Sequence, residues 1–185
     1  MLCAILLTTS YQLPPMAVSR RAAVGAAAAA ILPAAPAFAL KACPPGANNC
    51  WSSASTDKTK MATWKWPSGV DRAAAIKTLS AVVDSYPQEG QSGVDLGGWS
   101  FADDQIASTG YARLEYKSGI GNFAKFFNNN KPFVDDLEFS VESAEVCIRS
   151  SSRVGDSDFG VNAKRINWIA DKLREKGWAA PGVSA

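Results

Sequence analysis

The chain has 185 residues, of which 47% are hydrophobic and 19% charged, with a formal net charge of +2 and no histidine. These proportions are those of a globular protein and lack the strongly basic face of a nucleic-acid binder. The missing histidine removes the commonest general base, and with it histidine-assisted serine or cysteine nucleophiles and Cys/His zinc sites.

Residues 1–39 contain no acid, and their only basic residues are Arg20 and Arg21. An alanine-rich apolar run follows that pair, including five consecutive alanines (residues 26–30), and it ends on Ala37-Phe38-Ala39. A basic step, an apolar stretch and a small-x-small ending describe a cleavable export signal, with cleavage expected between Ala39 and Leu40. The adjacent arginines point to the twin-arginine route. A membrane-spanning helix is the rival reading; Pro33, Pro36 and the weakly apolar alanines count against it. Removing the leader takes away both excess charges, so the remaining chain is formally neutral and of a size for one domain. Ahead of the arginines, residues 1–16 form an additional apolar, hydroxylated stretch without acids, which suits a two-part address into the thylakoid lumen of a plastid. The bacterial periplasm is the alternative.

Residues 40–60 read as a cysteine-bearing entry loop rich in Pro, Asn, Ser and Thr. Cys3 would leave with the leader. Cys43 and Cys50 flank Pro44-Pro45-Gly46-Ala47-Asn48-Asn49, a turn-rich sequence able to bring the two sulfurs together, as an oxidising compartment favours. Free thiols are the alternative, and a metal lacks ligands, so no cofactor is expected.

An α+β domain should follow over residues 61–180, with a short tail at 181–185 expected to fray. Residues 61–67 carry Trp64 and Trp66 and suit a short strand or a capping loop. Residues 71–86 form a helix: Ile76, Leu79, Val82, Val83 and Tyr86 share a face, Ser68 or Asp71 caps the start, and Pro87 stops it. Residues 89–98 read as loop and 99–106 as a strand. At 111–117, Ala112, Leu114 and Tyr116 alternate with Arg113, Glu115 and Lys117, giving a strand with one wet face. Strands at 133–142 and 145–150 make a hairpin, and 161–176 form a second helix with Ile166, Ile169, Ala170 and Leu173 inward, ended by Gly177. Strands adjacent in sequence between two helices argue an antiparallel sheet with the helices packed on one face.

If the hairpin turns at Ser143-Ala144, Phe139 faces Ile148, Val141 faces Val146, Glu138 faces Arg149 and Asp136 faces Ser151. Asp135 and Asp136 then lie level with Arg149-Ser150-Ser151-Ser152-Arg153, while the following turn delivers Asp156, Asp158 and Asn162 to the second helix. Two readings stay open. The groups bind one another as a structural lock, with Asp156 or Asp158 capping the helix. Alternatively Arg149, Arg153, the serines and the helix amides cradle a carboxylate or phosphate, which Asp135 and Asp136 oppose. Acid–base or hydrolase-like chemistry, or a cation held by the aspartates, is a remote third possibility.

Asn49-Cys50-Trp51-Ser52-Ser53, residues 133–139 and the long motif at 148–166 resemble the domain-of-unknown-function 1499 family. The resemblance covers most of the chain behind the leader. The family occurs in bacteria and plastid-bearing eukaryotes and has no established activity, so it implies a shared fold and polar lock but no reaction. Trp51 departs from the smaller aliphatic typical there, and residues 119–132 are longer than the usual link. That segment carries Phe123, Phe126 and Phe127, either as a partner-docking loop or as core. Together these features suggest a non-catalytic thylakoid-lumen accessory protein that binds a photosynthetic membrane complex such as a photosystem, peripheral to the membrane. A small-molecule or anion-binding domain is the alternative.

Overall fold

The computed structural model describes residues 39–89, 96–118 and 128–184. Five antiparallel strands form one sheet in the order β1-β5-β4-β3-β2, with β1 at Cys50–Ser52, β2 at Trp99–Gln105, β3 at Tyr111–Lys117, β4 at Val134–Val141 and β5 at Val146–Ser152. Helix α1 spans Arg72–Asp84 and helix α2 spans Val161–Arg174. This is the expected α+β architecture.

Alternation along the strands decides which face is buried. Ala112, Leu114 and Tyr116 of β3, Leu137, Phe139 and Val141 of β4, and Val146 and Ile148 of β5 point to one side. They form a single core with Ile76, Leu79, Val82 and Val83 of α1 and Ile166, Ile169 and Leu173 of α2. Removing this apolar surface from water is the main force assembling the layers. Asp71 caps α1 by accepting the Ala74 amide at 2.7 Å.

Arg72 anchors the start of α1 to the ends of two hairpins. Its Nη2 donates to the Val141 and Thr109 carbonyls (2.9 and 3.2 Å), and its Nε to that of Glu142 (3.3 Å). The close approach requires glycine at position 110, where φ is +90° and an added Cβ would lie 2.2 Å from Arg72 Nη2.

Two local features differ from the sequence expectation, and a third decides between its two alternatives. The entry segment expected to be all loop contains β1, which pairs Cys50 with Ser151, Trp51 with Ser150 and Ser52 with Arg149. Three residues among turn formers are too few to show alternation; the edge of β5 recruits them. Residues 61–67 make only single bridges, Trp64 to Val146 and Lys65 to Ala179. Finally, the segment after residue 180 is tied down rather than frayed. The buried Trp64 indole donates to the Pro181 carbonyl at 3.0 Å. The Asn167 side chain both donates to and accepts from the Val183 backbone, at 2.9 and 2.8 Å. Of the earlier segments singled out, the leader ahead of Ala39 and Phe123, Phe126 and Phe127 lie outside the described residues.

Candidate functional site

The β4–β5 hairpin has the register expected from its apolar pattern: Phe139 faces Ile148, Val141 faces Val146, Glu138 faces Arg149 and Asp136 faces Ser151. Because side chains alternate, this register separates the polar residues of the motif into two groups on opposite faces of the sheet.

Asp136, Glu138, Arg149, Ser151 and Arg153 lie on the face away from the helices. Arg149 Nη1 donates to Glu138 at 2.7 Å, and the Tyr111 hydroxyl donates to the other Glu138 oxygen at 2.9 Å. Arg153 donates to both Asp136 oxygens (2.7 and 2.8 Å) and reaches Glu115, while Arg113 donates to Asp136 at 3.1 Å. Arg113 and Glu115 were not among the expected site residues. Their place on the wet face of β3, one strand away from Asp136, was the available signal. Burial pushes the Asp136 carboxyl up, but the hydrogen bonds and charges of Arg153 and Arg113 outweigh it and hold the group below its ordinary 3.8.

A pH dependence follows from that sign. A carboxyl depressed in the folded state stabilises the fold above its unfolded pKa, and the contribution is lost as pH falls from about 3.8 through the lower folded value. In Arg153→Ala the Asp136 midpoint should move upward in a carboxyl NMR titration. The stability loss at pH 7 should stay below about 1 kcal/mol, because this pair is solvent-screened. A larger loss would mean that Arg153 carries structural weight its exposure does not suggest.

Asp135 faces the other way, into the layer between sheet and helices. It receives Arg165 Nη2 at 2.9 Å, and Arg165 is fully buried. The remaining guanidinium donors and their neighbours form a continuous network. Arg165 Nη1 donates to Asn162 Oδ1 (2.8 Å) and Ser150 Oγ (3.3 Å), and Ser150 Oγ donates to Asn162 Oδ1 (2.5 Å). Asn162 Nδ2 donates to Ser152 Oγ at 3.0 Å and to the Asn49 carbonyl at 3.2 Å. The guanidinium carbon also sits 4.2 Å from the Tyr116 ring centroid, a cation–π contact. A buried charge needs such a set of partners to offset its lost hydration.

Arg165 is the residue that sequence reasoning passed over as a site member. The signal was there: positions 162, 165, 166, 169 and 173 share one stripe of α2, so Asn162 and Arg165 occupy core positions in an otherwise apolar row.

The turn into α2 closes with Asp158, whose carboxylate accepts from the Gly160 amide (3.1 Å) and the Asn162 amide (2.8 Å). Asp156 stands exposed on the same turn, and Asn49 Nδ2 holds the turn by donating to the Gly155 carbonyl at 2.5 Å. The Asn162 amide, which an external anion would use, is thus taken by Asp158, and Arg149 and Arg153 sit on the far face. The structure does not bring those arginines together with the start of the helix.

Two cavities adjoin these groups. One, of about 330 Å³, opens beside the turn and is walled by Phe133, Val154, Phe159 and Val161, with Asp135, Ser152 and Asp158 also lining it. The other, of about 350 Å³, lies over the outer ion pairs, where Ala39, Leu40 and Lys41 cross Tyr111, Glu138 and Arg149. Cys43 and Cys50 form a disulfide, with Cα atoms 5.8 Å apart, that fastens this covering segment to β1. Cys147 is a free thiol whose pKa burial pushes up.

The family model described as "Protein of unknown function (DUF1499)" matches residues 39–173. No curated protein and no solved structure matches the chain. The match takes in every strand of the described residues and both halves of the polar motif, so the chain belongs to the domain-of-unknown-function 1499 family.

Proposed function

We propose that this protein is a non-catalytic accessory protein of the thylakoid lumen, which binds a photosynthetic membrane complex and helps its assembly, a photosystem being the partner. The observation that carries the reading is a coincidence of boundaries. The export-type leader runs out at Ala39, the family match starts at residue 39, and the disulfide closes from Cys43. A domain stapled by a disulfide directly behind a twin-arginine signal suits an oxidising space across a membrane.

The twin-arginine route alone would serve a bacterial periplasm equally well; the stretch ahead of Arg20 and Arg21 favours the plastid. Among the described residues no helix is long and apolar enough to cross a membrane, in keeping with a peripheral protein. A binding role is supported by the engagement of the motif's arginines and aspartates with each other.

The native protein should begin at Leu40 on N-terminal sequencing, and it should comigrate with a photosystem when thylakoids are fractionated on native gels. An N-terminus at Met1, or recovery from stroma or cytosol, would defeat the proposed location. Recovery from the lumen wholly free of membrane complexes would defeat the proposed role.

A further inference from the structure

The cavity beside the turn into α2 combines features that the lumenal reading does not use. Its volume, about 330 Å³, lies at the lower end for small-molecule sites, and its walls are apolar. Two of its polar lining groups, Asp135 and Ser152, belong to the buried network held by Arg165 and Asn162, so they are fixed in place before any ligand arrives. Phe159 adds a second, independent observation. It has a left-handed backbone (φ +53°) and a side chain 83% exposed, although neither is favourable for a phenylalanine. The Asp158 cap and the left-handed Gly160 beside it hold the ring at the cavity. Strained backbone of this kind is found where a ligand is clamped.

Charge narrows the chemistry. Among the described residues lining the cavity there are two carboxylates, Asp135 and Asp158, and no lysine or arginine. An anion entering would meet these two carboxylates, with no cation among the described lining residues to receive it. A cation would gain little either, because Asp135 is already paired with Arg165 and Asp158 already accepts two amides. What remains is an uncharged molecule with an apolar body and a hydrogen-bond donor.

We propose that this cavity binds a small neutral lipophile carrying a hydroxyl or N–H group. Its body lies against Phe133, Val154, Phe159 and Val161, and its donor reaches the Asp135 carboxylate. The inference stands apart from the proposed location and partner, since it concerns the cavity alone.

Titration of the purified chain with N-phenyl-1-naphthylamine, a neutral fluorescent probe with one N–H, tests it. Fluorescence should rise and saturate at one probe per chain. Decanol should displace the probe and decanoate, at equal concentration and pH 7.5, should not. Phe159→Ala should weaken probe binding about tenfold, the scale of losing one aromatic wall, without lowering the unfolding temperature, because the ring it removes is exposed. Val161→Trp, which fills the cavity from the first residue of α2, should abolish binding, with circular dichroism reporting that it remains folded. Absence of saturable binding overturns the proposal. So does displacement by decanoate as effective as by decanol, or binding unchanged in both variants.

Discussion

Replacing Arg165 with methionine is expected to lower the free energy of unfolding by about 3–5 kcal/mol, the usual consequence of removing one member of a buried ion pair. The side chain is fully buried, and its loss leaves the buried Asp135 carboxyl without the guanidinium 2.9 Å away. The remaining acceptors, Asn162 Oδ1 and Ser150 Oγ, also lose a donor. Urea unfolding followed by tryptophan fluorescence measures the effect. A double variant, Arg165→Met with Asp135→Leu, should recover much of the loss, because an apolar pair of similar volume carries no desolvation penalty. If the single variant loses less than about 1 kcal/mol, the pair is ordinary surface electrostatics and the lock does not exist.

Opening the Cys43–Cys50 disulfide is the second large effect. The bridge spans seven residues in sequence, and closing so short a loop in the unfolded chain amounts to about 2–3 kcal/mol in the chain-entropy account. Both half-cystines are buried, and the segment they close is also held by Cys43 N donating to Ser55 Oγ and Ser52 Oγ donating to the Lys41 carbonyl, each at 2.9 Å. Reduction should therefore lower stability while leaving the sheet assembled. The Cys43→Ser/Cys50→Ser variant and the native protein treated with a phosphine reductant should shift to the same denaturation midpoint, with unchanged far-ultraviolet circular dichroism. A midpoint indifferent to reductant would show that the two sulfurs are not bonded in the native protein.

These two effects belong to parts of the chain that the sequence disclosed to different degrees. The two cysteines and the turn formers between them are contiguous, so their pairing could be anticipated from spacing alone. The hairpin register was equally open to reading, since Phe139, Val141, Val146 and Ile148 can share a face in only one alignment across a turn at Ser143-Ala144. Given that register, the Glu138–Arg149 contact follows. The buried lock does not follow from it. Asp135 and Asp136 are neighbours in sequence and read as one pair, yet a strand sends them to opposite faces, one to Arg165 and the other to Arg153 and Arg113. Treating them as a unit is what produced the expectation of one polar cluster.

By itself the sequence determined the zero formal charge of residues 40–185, both helices, the main strands and the alignment of the β4–β5 hairpin. All of these are local: they depend on periodicity, turn chemistry or composition within a few tens of residues. Only the tertiary structure decided that β1 joins the sheet edge, that Arg165 crosses from α2 to Asp135 and that an apolar cavity opens beside Phe159. Each of these joins groups whose attraction depends on which side of the sheet they face and how deeply they are covered, and neither is defined until strands and helices have packed.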